Sequence, residues 1–268
     1  MHIFITFETS NIGSMYGVAK IWTLLLLLFC ADIVSAQNEM INEPTLLLRK
    51  RFLYGFHLNS SSLGGINFKY QWQKTANIKN GIDFDLDRIR HPKEIRVYGL
   101  TESSRQYTPG RINMAFFFRS GYGQTLFITN RDYKNAVSIH YNYAAGATFA
   151  FLKPIYVDVF KRSSDPFGQN FIATEKYDPD NKPIAPQAIY GNAGFTNGFG
   201  EIKTHVGGYF KNSVVFEWGN YSDFFQLIEA GFCVDVFPNK LPLMAESYAI
   251  NKNLFFTLFL GYSIGQNK

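Results

Sequence analysis

The chain has 268 residues, which is room for one large β domain or two smaller ones. Only 18% of the residues are charged and 17% are aromatic, including 27 Phe and 16 Tyr, whereas an average soluble domain has about a quarter of its residues charged. The net charge of +5 comes from scattered basic residues without a Lys/Arg run, so the composition excludes nucleic acid as an expected partner.

Residues 1–36 are predicted to be a secretory signal peptide. Lys20 precedes the apolar run "IWTLLLLLFC", and the segment "ADIVSA" that follows ends in Ala36 at the expected cleavage site. Met15 is an alternative start that would give the signal an ordinary length. Cleavage after Ala36 would leave 37–50 as a short periplasmic segment before the first strand.

Two other interpretations of the N-terminus remain open. A transmembrane anchor is disfavoured because the apolar run is short and is followed by Asp32. A lipoprotein signal at Cys30 is disfavoured because the bulky Phe29 stands where such signals carry a small residue. Removal of the signal would leave Cys233 as the only cysteine, so no intrachain disulfide is expected.

Eight segments after residue 50 alternate apolar and polar residues with a period of two, which is typical of strands that have one apolar face. In "GINFKYQWQ" one face carries Ile, Phe, Tyr and Trp and the other carries Asn, Lys and Gln. In "GIDFDLDR" the polar face carries three carboxylates. The predicted strands are, in chain order, 51–59, 65–73, 81–88, 111–128, 136–152, 200–219, 226–237 and 253–265.

The predicted fold is an all-β, antiparallel, up-and-down transmembrane barrel of about eight strands over residues 51–268, with ten strands as the alternative count. A strand of about 9–11 residues suffices to span a membrane, and aromatic-rich faces opposite polar faces are typical of outer-membrane barrels. A soluble lipocalin-like barrel or sandwich, with the apolar face inward, remains the alternative.

The connections between the predicted strands alternate in length. Long outer loops are predicted at 90–110, 160–199 and 238–252, and short periplasmic turns lie between them, which is the asymmetry expected of an outer-membrane barrel. Only the first outer turn, "NSSSLG", is short. The loop at 160–199 is longer than most loops, and it is therefore predicted to be functional, disordered or lid-like.

Four segments carry a resemblance to a known family: "RHPKEIR" (Arg90–Arg96), "EKYDPD" (Glu175–Asp180), "EIKTHVGGYFK" (Glu201–Lys211) and "VDVFPNKLPLM" (Val234–Met244). They resemble segments of uncharacterised outer-membrane β-barrel proteins of the Bacteroidota, which are similar to the PorT-like and OmpX-like small barrels. The resemblance spans roughly residues 50–268 and implies the fold and the location, but no activity. One departure is that the last aromatic residue is Tyr262, whereas many such barrels end in an aromatic.

The three carboxylates of the third strand, Asp83, Asp85 and Asp87, are predicted to face the barrel interior, where buried charges need partners. The candidate partners on neighbouring or more distant strands are Lys69, Arg111, Arg119 and Lys203. An eight-stranded barrel has an interior just wide enough for side chains to fill. The sequence therefore predicts a closed lumen crossed by ion pairs and hydrogen bonds. A solvated acidic face on an edge strand or hairpin remains the alternative.

Aromatic residues near the predicted strand ends are expected to lie at the membrane interfaces. This makes outer-membrane lipid the first expected partner of the chain. The predicted interface aromatics are Tyr54, Trp72, Tyr122, Tyr143, Trp218 and Tyr262.

No catalytic residue, metal or cofactor is predicted. Ser138, His140 and Asn142 share one polar face and are residue types that an outer-membrane phospholipase uses. Residues two apart on a strand lie about 7 Å apart, which is too far for the hydrogen bond that activates a nucleophile. No spacing of His and carboxylates indicates zinc, and "DPDNKP" (Asp178–Pro183) lacks the glycine and the distal Glu of a calcium loop.

The predicted role is non-enzymatic: a structural, adhesion, or envelope-assembly and secretion-associated component of the bacterial outer membrane. The outer loops are expected to contact envelope or secretion-machinery proteins. A narrow channel or small-molecule carrier is the first alternative. An enzyme of lipase or protease type at the outer-membrane surface is the second.

Overall fold

Eight long strands close into one antiparallel barrel in the computed structural model of the chain. The structure describes residues 50–75, 77–99, 104–129, 137–162, 169–219 and 224–267, so the predicted signal peptide, Cys30 and all of the 37–50 segment except Lys50 lie outside the described residues. No helix within these ranges is long and apolar enough to span a membrane. The strands are β1 (Lys50–Asn59), β2 (Ser62–Thr75), β3 (Ile78–Ile89), β4 (Asn113–Thr129), β5 (Ser138–Pro154), β6 (Tyr156–Lys161), β7 (Phe171–Lys176), β8 (Ile189–Asn192), β9 (Lys203–Gly219), β10 (Phe224–Val236) and β11 (Leu254–Asn267).

The barrel follows the order β1-β11-β10-β9-β5-β4-β3-β2 and closes through the pairing of β1 with β2. Every neighbouring pair is antiparallel. Strands that follow one another along the chain are neighbours, except that β6, β7 and β8 stand outside the barrel between β5 and β9. The predicted all-β, closed antiparallel barrel of eight strands is confirmed, and the ten-strand alternative is wrong.

Outside the two apolar clusters described below, the two faces of the barrel strands have opposite polarity. On β3, the outward Ile82 and Leu86 are 37% and 39% exposed, whereas the inward Asp83 and Asp85 are 2% and 3% exposed. This alternation follows from the period of two that a strand imposes on its side chains. The charged side chains are therefore inside and the apolar ones outside, which is the reverse of a soluble barrel.

The two ends of the barrel differ. At one end, here called the turn end, short connections join β2 to β3, β4 to β5 and β9 to β10, and β1 begins beside the last residues of β11. At the other end, here called the loop end, the connections 90–112, 155–202 and 237–253 are long and the β1–β2 turn is tight.

The longest connection contains a small sheet, so the disordered alternative for the 160–199 loop is wrong for its described residues, whereas the functional and lid-like alternatives stay predictions. Strands β7, β6 and β8 pair antiparallel in that order, and we call them the loop sheet. Two short 3-10 turns, Pro186–Ala188 and Phe199–Glu201, lie in the same connection. The loop sheet packs around its own apolar cluster of Tyr107, Met114, Ile155, Val157, Val159, Tyr177 and Ile189.

Apolar side chains form buried clusters inside the barrel near both ends. At the loop end, inward residues of β3, β4 and β5 pack against the 237–253 connection, and we call this cluster the loop-end plug. At the turn end, a smaller cluster of Leu53, Val215, Phe225 and Leu227 lies inside the barrel. The loop-end plug consists of Ile89, Ala115, Phe117, Ala150, Leu152, Phe237, Leu241, Leu243, Met244 and Ala249.

Candidate functional site

The barrel interior on the turn-end side of the loop-end plug holds a network of charged side chains in three layers. The upper layer, next to the loop-end plug, is built on Arg119 of β4. Its guanidinium donates to both oxygens of Asp235 at 2.8 and 2.7 Å and also to Asp87. Asp87 is 2.6 Å from Nε2 of His57, and Thr148 donates to Asp235 at 2.8 Å. Arg119 therefore joins strands on opposite sides of the barrel with charge-assisted hydrogen bonds, which are among the strong ones.

The close approach in the upper layer depends on a residue without a side chain. A Cβ added to Gly65 of β2 would lie 2.1 Å from Oδ1 of Asp87 and 2.9 Å from Nε2 of His57. Glycine is therefore required at this position for the Asp87–His57 contact to fit inside the barrel.

The middle layer is built on two lysines. Lys211 Nζ lies 3.1 Å from one oxygen of Asp85 and 3.9 Å from Glu229. Lys69 Nζ lies 3.4 Å from Asp83 and 3.8 Å from the same Glu229. The Glu229 carboxylate also accepts hydrogen bonds from Ser213 at 2.6 Å and Asn142 at 3.2 Å. All five charged groups are at least nine-tenths buried, so each charge depends on its partner in this layer.

The lower layer, near the turn end, is built on Glu217. Arg51 donates to both of its carboxylate oxygens at 2.8 and 3.3 Å and stacks over the Phe225 ring at 4.3 Å. Nδ1 of His140 lies 3.7 Å from the same carboxylate. Phe225 belongs to the turn-end apolar cluster, so this layer packs against that cluster.

The interior has little free space. A cavity of about 20 Å³ lies beside Lys69, His140 and Glu217, and one of about 10 Å³ lies between Asp85, Asp87 and Arg119. A single water needs roughly 10–15 Å³. Each of these two cavities therefore has room for no more than an isolated water.

Most of the predicted interior residues lie together in these layers. Asp83, Asp85 and Asp87 face the interior, as do Lys69 and Arg119. Two other residues, Arg111 and Lys203, were predicted to pair with the aspartates, and this prediction is wrong for both.

Arg111 lies just before β4 at the loop end and pairs with Glu94 at 3.0 Å instead of with the aspartates. Lys203 is the first residue of β9 and is exposed. It stands eight residues from Lys211, about 27 Å along the strand, and so lies far from the carboxylates that Lys211 reaches.

Several interior partners were not predicted from the sequence. Lys211 and Lys203 are separated by an even number of positions on β9, so strand alternation places both on the same face. This alternation could have identified Lys211 as an inward residue. Glu229 and Asp235 alternate with the outward apolar residues of β10 in the same way. The remaining residues of the network that the prediction missed are Arg51, His57, Thr148, Ser213 and Glu217.

One buried pair has the geometry of an activated hydroxyl. Ser138 Oγ lies 2.8 Å from Nε2 of His140, so the prediction that residues two apart cannot make this hydrogen bond is wrong, because the two side chains lean toward each other. Both are buried, at 3% and 2% exposed, and the cavity beside His140 holds no more than a water. The carboxylate that would orient His140 is already paired with Arg51. The described interior thus offers this pair no place for a substrate. No group of three His, Cys, Asp or Glu side chains in the described part of the chain is arranged to hold a metal ion.

The six predicted interface aromatics all lie on outward-facing strand positions, with Tyr54 and Tyr122 45% and 48% exposed. All six stand on the half of their strands that is nearer the turn end. Trp72 packs against Tyr122 with 6.2 Å between ring centroids. The predicted aromatics thus occupy only the turn-end half of the barrel, with Tyr54 and Tyr122 close to the middle of their strands.

The long connections at the loop end are tied to each other. Asp180 accepts hydrogen bonds from the Ser247 hydroxyl at 2.5 Å and from the Glu246 backbone amide at 2.8 Å. The Ser247 hydrogen bond is the main reason that the pKa of Asp180 is lowered. Beside β7, Glu175 lies between Lys161 and Lys182, and hydrogen bonds from these lysines lower its pKa.

An exposed aromatic pair at the loop end is held from below by a buried lysine. Lys153 Nζ donates to the backbone carbonyls of Phe195 at 2.9 Å and Asn197 at 2.6 Å. The Phe195 and Phe199 rings lie 5.0 and 5.2 Å from the same ammonium group. Lys153 is 4% exposed, whereas the two Phe side chains are 58% and 49% exposed.

The geometry defines a closed eight-stranded β-barrel with a charged interior and a small sheet at its loop end. No family model and no curated protein matches the chain. Among solved structures, Neisserial surface protein A (NspA) is 9% identical with a TM-score of 0.37, over 82% of this chain and 96% of that one. The N-terminal β-barrel domain of Pseudomonas aeruginosa OprF is 6% identical with a TM-score of 0.33, over 82% and 97%. Yersinia pestis Ail, in complex with the heparin analogue sucrose octasulfate, is 10% identical with a TM-score of 0.35, over 82% and 99%.

Proposed function

We propose that the chain is an integral barrel of the bacterial outer membrane, inserted with its loop end outside, and that it acts through that end. The single observation that supports the insertion is the band of exposed apolar side chains around a barrel whose charges are inside. On β11 alone, Leu254, Phe256, Leu258 and Leu260 are each more than half exposed. Water would not favour so large an apolar surface, whereas hydrocarbon would. Barrel strands of 10–17 residues are long enough to cross a membrane.

The orientation follows from the connections. Outer-membrane barrels have short periplasmic turns and long outer loops. The turn end of this barrel, which carries the first residues of β1 and the last residues of β11, therefore faces the periplasm in the proposed arrangement.

Insertion is tested by placing an arginine on the outward face. We expect Val214→Arg, on the outward face of β9, to lower the free energy of unfolding by about 2–4 kcal/mol in lipid vesicles, because a charged side chain is costly near the bilayer midplane. Ile95→Arg, at a loop position that is 72% exposed, is the matched control and should have almost no effect. Equal stability of both variants, or a folded monomer in water without detergent, would contradict insertion.

The proposed role is recognition at the loop end, in adhesion or in envelope assembly and secretion. Its support is the ordered loop sheet together with exposed apolar side chains on the connections around it. Large exposed apolar patches on ordered surfaces are typical of contact sites. We call this set the loop-end surface, and it consists of Ile95, Tyr98, Phe171, Phe195, Phe199 and Ile250.

Site-specific photo-crosslinking in the native outer membrane tests this role. A crosslinker at Phe171 or Phe195 should capture one defined protein or surface polymer. A crosslinker at Tyr122, in the outward apolar band, should capture lipid only. Recovery of the same products from Tyr122 and Phe171 would contradict a specific loop-end contact.

Two alternatives are separated by direct assays. The three charged layers and the two apolar clusters support a closed lumen, so we expect no steady conductance in planar bilayers, and reproducible single-channel steps would favour the narrow channel. An enzyme at the surface would show lipase or protease activity that is lost in both Ser138→Ala and His140→Ala. We expect neither variant to differ from the parent in such assays.

A further inference from the structure

A surface groove at the loop end changes from apolar to basic along its length. Its volume is about 360 Å³, and residues of β1, β2 and β3 line it, including the interior residues His57 and Gly65. Phe56, Leu58 and Ile66 form its apolar wall and are 56%, 56% and 61% exposed. Arg88 and Arg90 line it as well. The groove therefore offers an apolar surface and a cationic one to the same ligand.

The position of Arg88 places the basic wall at the edge of the apolar band. Ile66 pairs with Phe56 on one side and with Leu86 on the other, and these three belong to one outward row. Arg88 follows Leu86 on the same face of β3, about 7 Å nearer the loop end. In the proposed membrane, this is the level at which acyl chains give way to head groups.

The charges of the two arginines are not balanced within the described residues. Neither guanidinium forms an ion pair there, and the Nε atoms of both are buried without a hydrogen-bond partner. Arg90, Arg111 and Arg96 lie near enough to repel the charge of Arg88, and Glu94 lies near enough to attract it. The nearby carboxylate, Glu94, is paired with Arg111 at 3.0 Å.

The residue after Arg90, His91, also has a buried nitrogen atom without a hydrogen-bond partner among the described residues. His91 is 7% exposed, and its Nε2 has no partner in the described part of the chain. Like charges that are partly removed from water are costly, and an anion bound between Arg88 and Arg90 would offset that cost.

We propose that this groove binds a phosphate-bearing lipid of the outer leaflet, with its acyl chains on Phe56, Leu58 and Ile66 and a phosphate between Arg88 and Arg90. Guanidinium groups bind phosphate through paired hydrogen bonds, and basic pockets at the membrane border bind anionic head groups. The inference rests on the proposed membrane insertion, because only a lipid neighbour brings an acyl chain and a phosphate to the groove together.

The test compares two lipids with the same acyl chains on the full-length barrel in a nonionic detergent. One is a diphosphorylated acyl-glucosamine disaccharide and the other is its dephosphorylated form, and native mass spectrometry measures the binding of each. We expect the wild type to prefer the phosphorylated lipid by about tenfold or more, as expected for paired charged hydrogen bonds. The R88Q/R90Q variant should lose this preference. R105Q, which changes an exposed arginine of the same connection, should keep it.

Three results would overturn the inference: equal binding of the two lipids by the wild type, an unchanged preference in R88Q/R90Q, or displacement of the lipid by excess inorganic phosphate. The last result would indicate a site for free anions. If the double variant does not fold, R90Q replaces it, because Arg90 lies beyond the end of β3. Flotation of the wild type with lipid vesicles is measured first. Failure to float contradicts the proposed function, whereas flotation without phosphate preference contradicts only the lipid site.

Discussion

Lys211 donates to both carboxylate oxygens of Asp85, at 3.1 and 3.3 Å, although 126 residues separate the two along the chain. The contact joins β9 to β3 across the middle of the barrel, and both side chains are 3% exposed. Because β9 and β3 are not neighbours in the sheet, this ion pair acts as a strut between opposite walls. The stability of the closed barrel should therefore depend on it.

Replacement of Lys211 by methionine should destabilise the barrel strongly. Lys211→Met leaves Asp85 and Glu229 buried with one cation fewer, and loss of one partner from a buried pair costs about 3–5 kcal/mol. Urea unfolding in detergent, followed by the fluorescence of Trp72 and Trp218, measures the change. The double variant Lys211→Met with Asp85→Leu should recover part of the loss, because no carboxylate is then left unpaired at that position.

The same strand supplies the control for this experiment. Lys203→Met alters an exposed lysine of β9, and substitutions at such sites usually change stability by no more than about 0.5 kcal/mol. If Lys211→Met were no more destabilising than Lys203→Met, the ion-pair network would have no structural role.

The aromatic centre of the loop-end plug should stabilise the barrel without being its only seal. The Phe117 side chain is fully buried, and its ring lies 5.1 Å from that of Phe237 and 5.3 Å from that of Phe255. Phe117→Ala should lower the free energy of unfolding by about 3–5 kcal/mol through the cavity that it leaves. The variant should remain non-conducting in planar bilayers, because the Arg119 layer lies directly beneath the plug.

Phe118 is the matched control for the plug. It is the next residue of β4 and points outward, where its ring stacks on that of Phe84. Phe118→Ala should cost less stability than Phe117→Ala, because lipid or detergent can fill the space that it leaves. A larger loss for Phe118→Ala, or steady currents through Phe117→Ala, would contradict this account of the plug.

The sequence pattern predicts the barrel well because its strands are long and strictly alternating. Each of the eight predicted segments coincides with a barrel strand, as the segment 81–88 does with β3. The pattern is less informative where both faces are apolar. In "AFFFR" of β4, a polar lumen predicts a polar inward residue, but Phe117 points inward. It does so because it packs in the loop-end plug and not in the charged network.

The partners inside the barrel are harder to predict, for a physical reason. The alternation along a strand predicts which residues face the interior. Their position along the barrel axis also depends on where the strand begins and on how neighbouring strands are staggered. Lys203 and Lys211 share a face and differ only in height, and only Lys211 reaches the carboxylates. The loop sheet escaped prediction because β6, β7 and β8 have only four to six residues each, too few for a clear periodic signal.

Lys153 should hold the exposed aromatic pair of the loop-end surface in place. Lys153→Met removes the two hydrogen bonds to the Phe195 and Asn197 carbonyls and the ammonium group beneath the two rings. We expect the 193–201 segment to be cleaved at least several-fold faster in limited proteolysis, because local opening is easier when such contacts are lost. Photo-crosslinking from Phe195 should weaken in parallel.

Lys182→Met is the control, since this side chain is 67% exposed and its ion pair is with Glu175. It should leave the rate of cleavage within 193–201 unchanged. If both variants were cleaved at the wild-type rate, Lys153 would not be what orders the aromatic pair.

Tyr177 should make the loop end sensitive to alkaline pH. Its hydroxyl oxygen accepts a hydrogen bond from the Gly110 amide at 3.1 Å, and burial raises its pKa to about 12. Because the folded pKa lies above the value of roughly 10 in an unfolded chain, its contribution to stability is complete below that pH and is lost as pH rises toward the folded value. The free energy of unfolding of Tyr177→Phe should not show this decrease at alkaline pH. At neutral pH the variant should be less stable than the wild type, because the Gly110 amide loses its partner. The difference in tyrosinate absorbance between wild type and Tyr177→Phe should show one group with a midpoint near the raised pKa. A midpoint at the ordinary tyrosine value would contradict the burial of this hydroxyl.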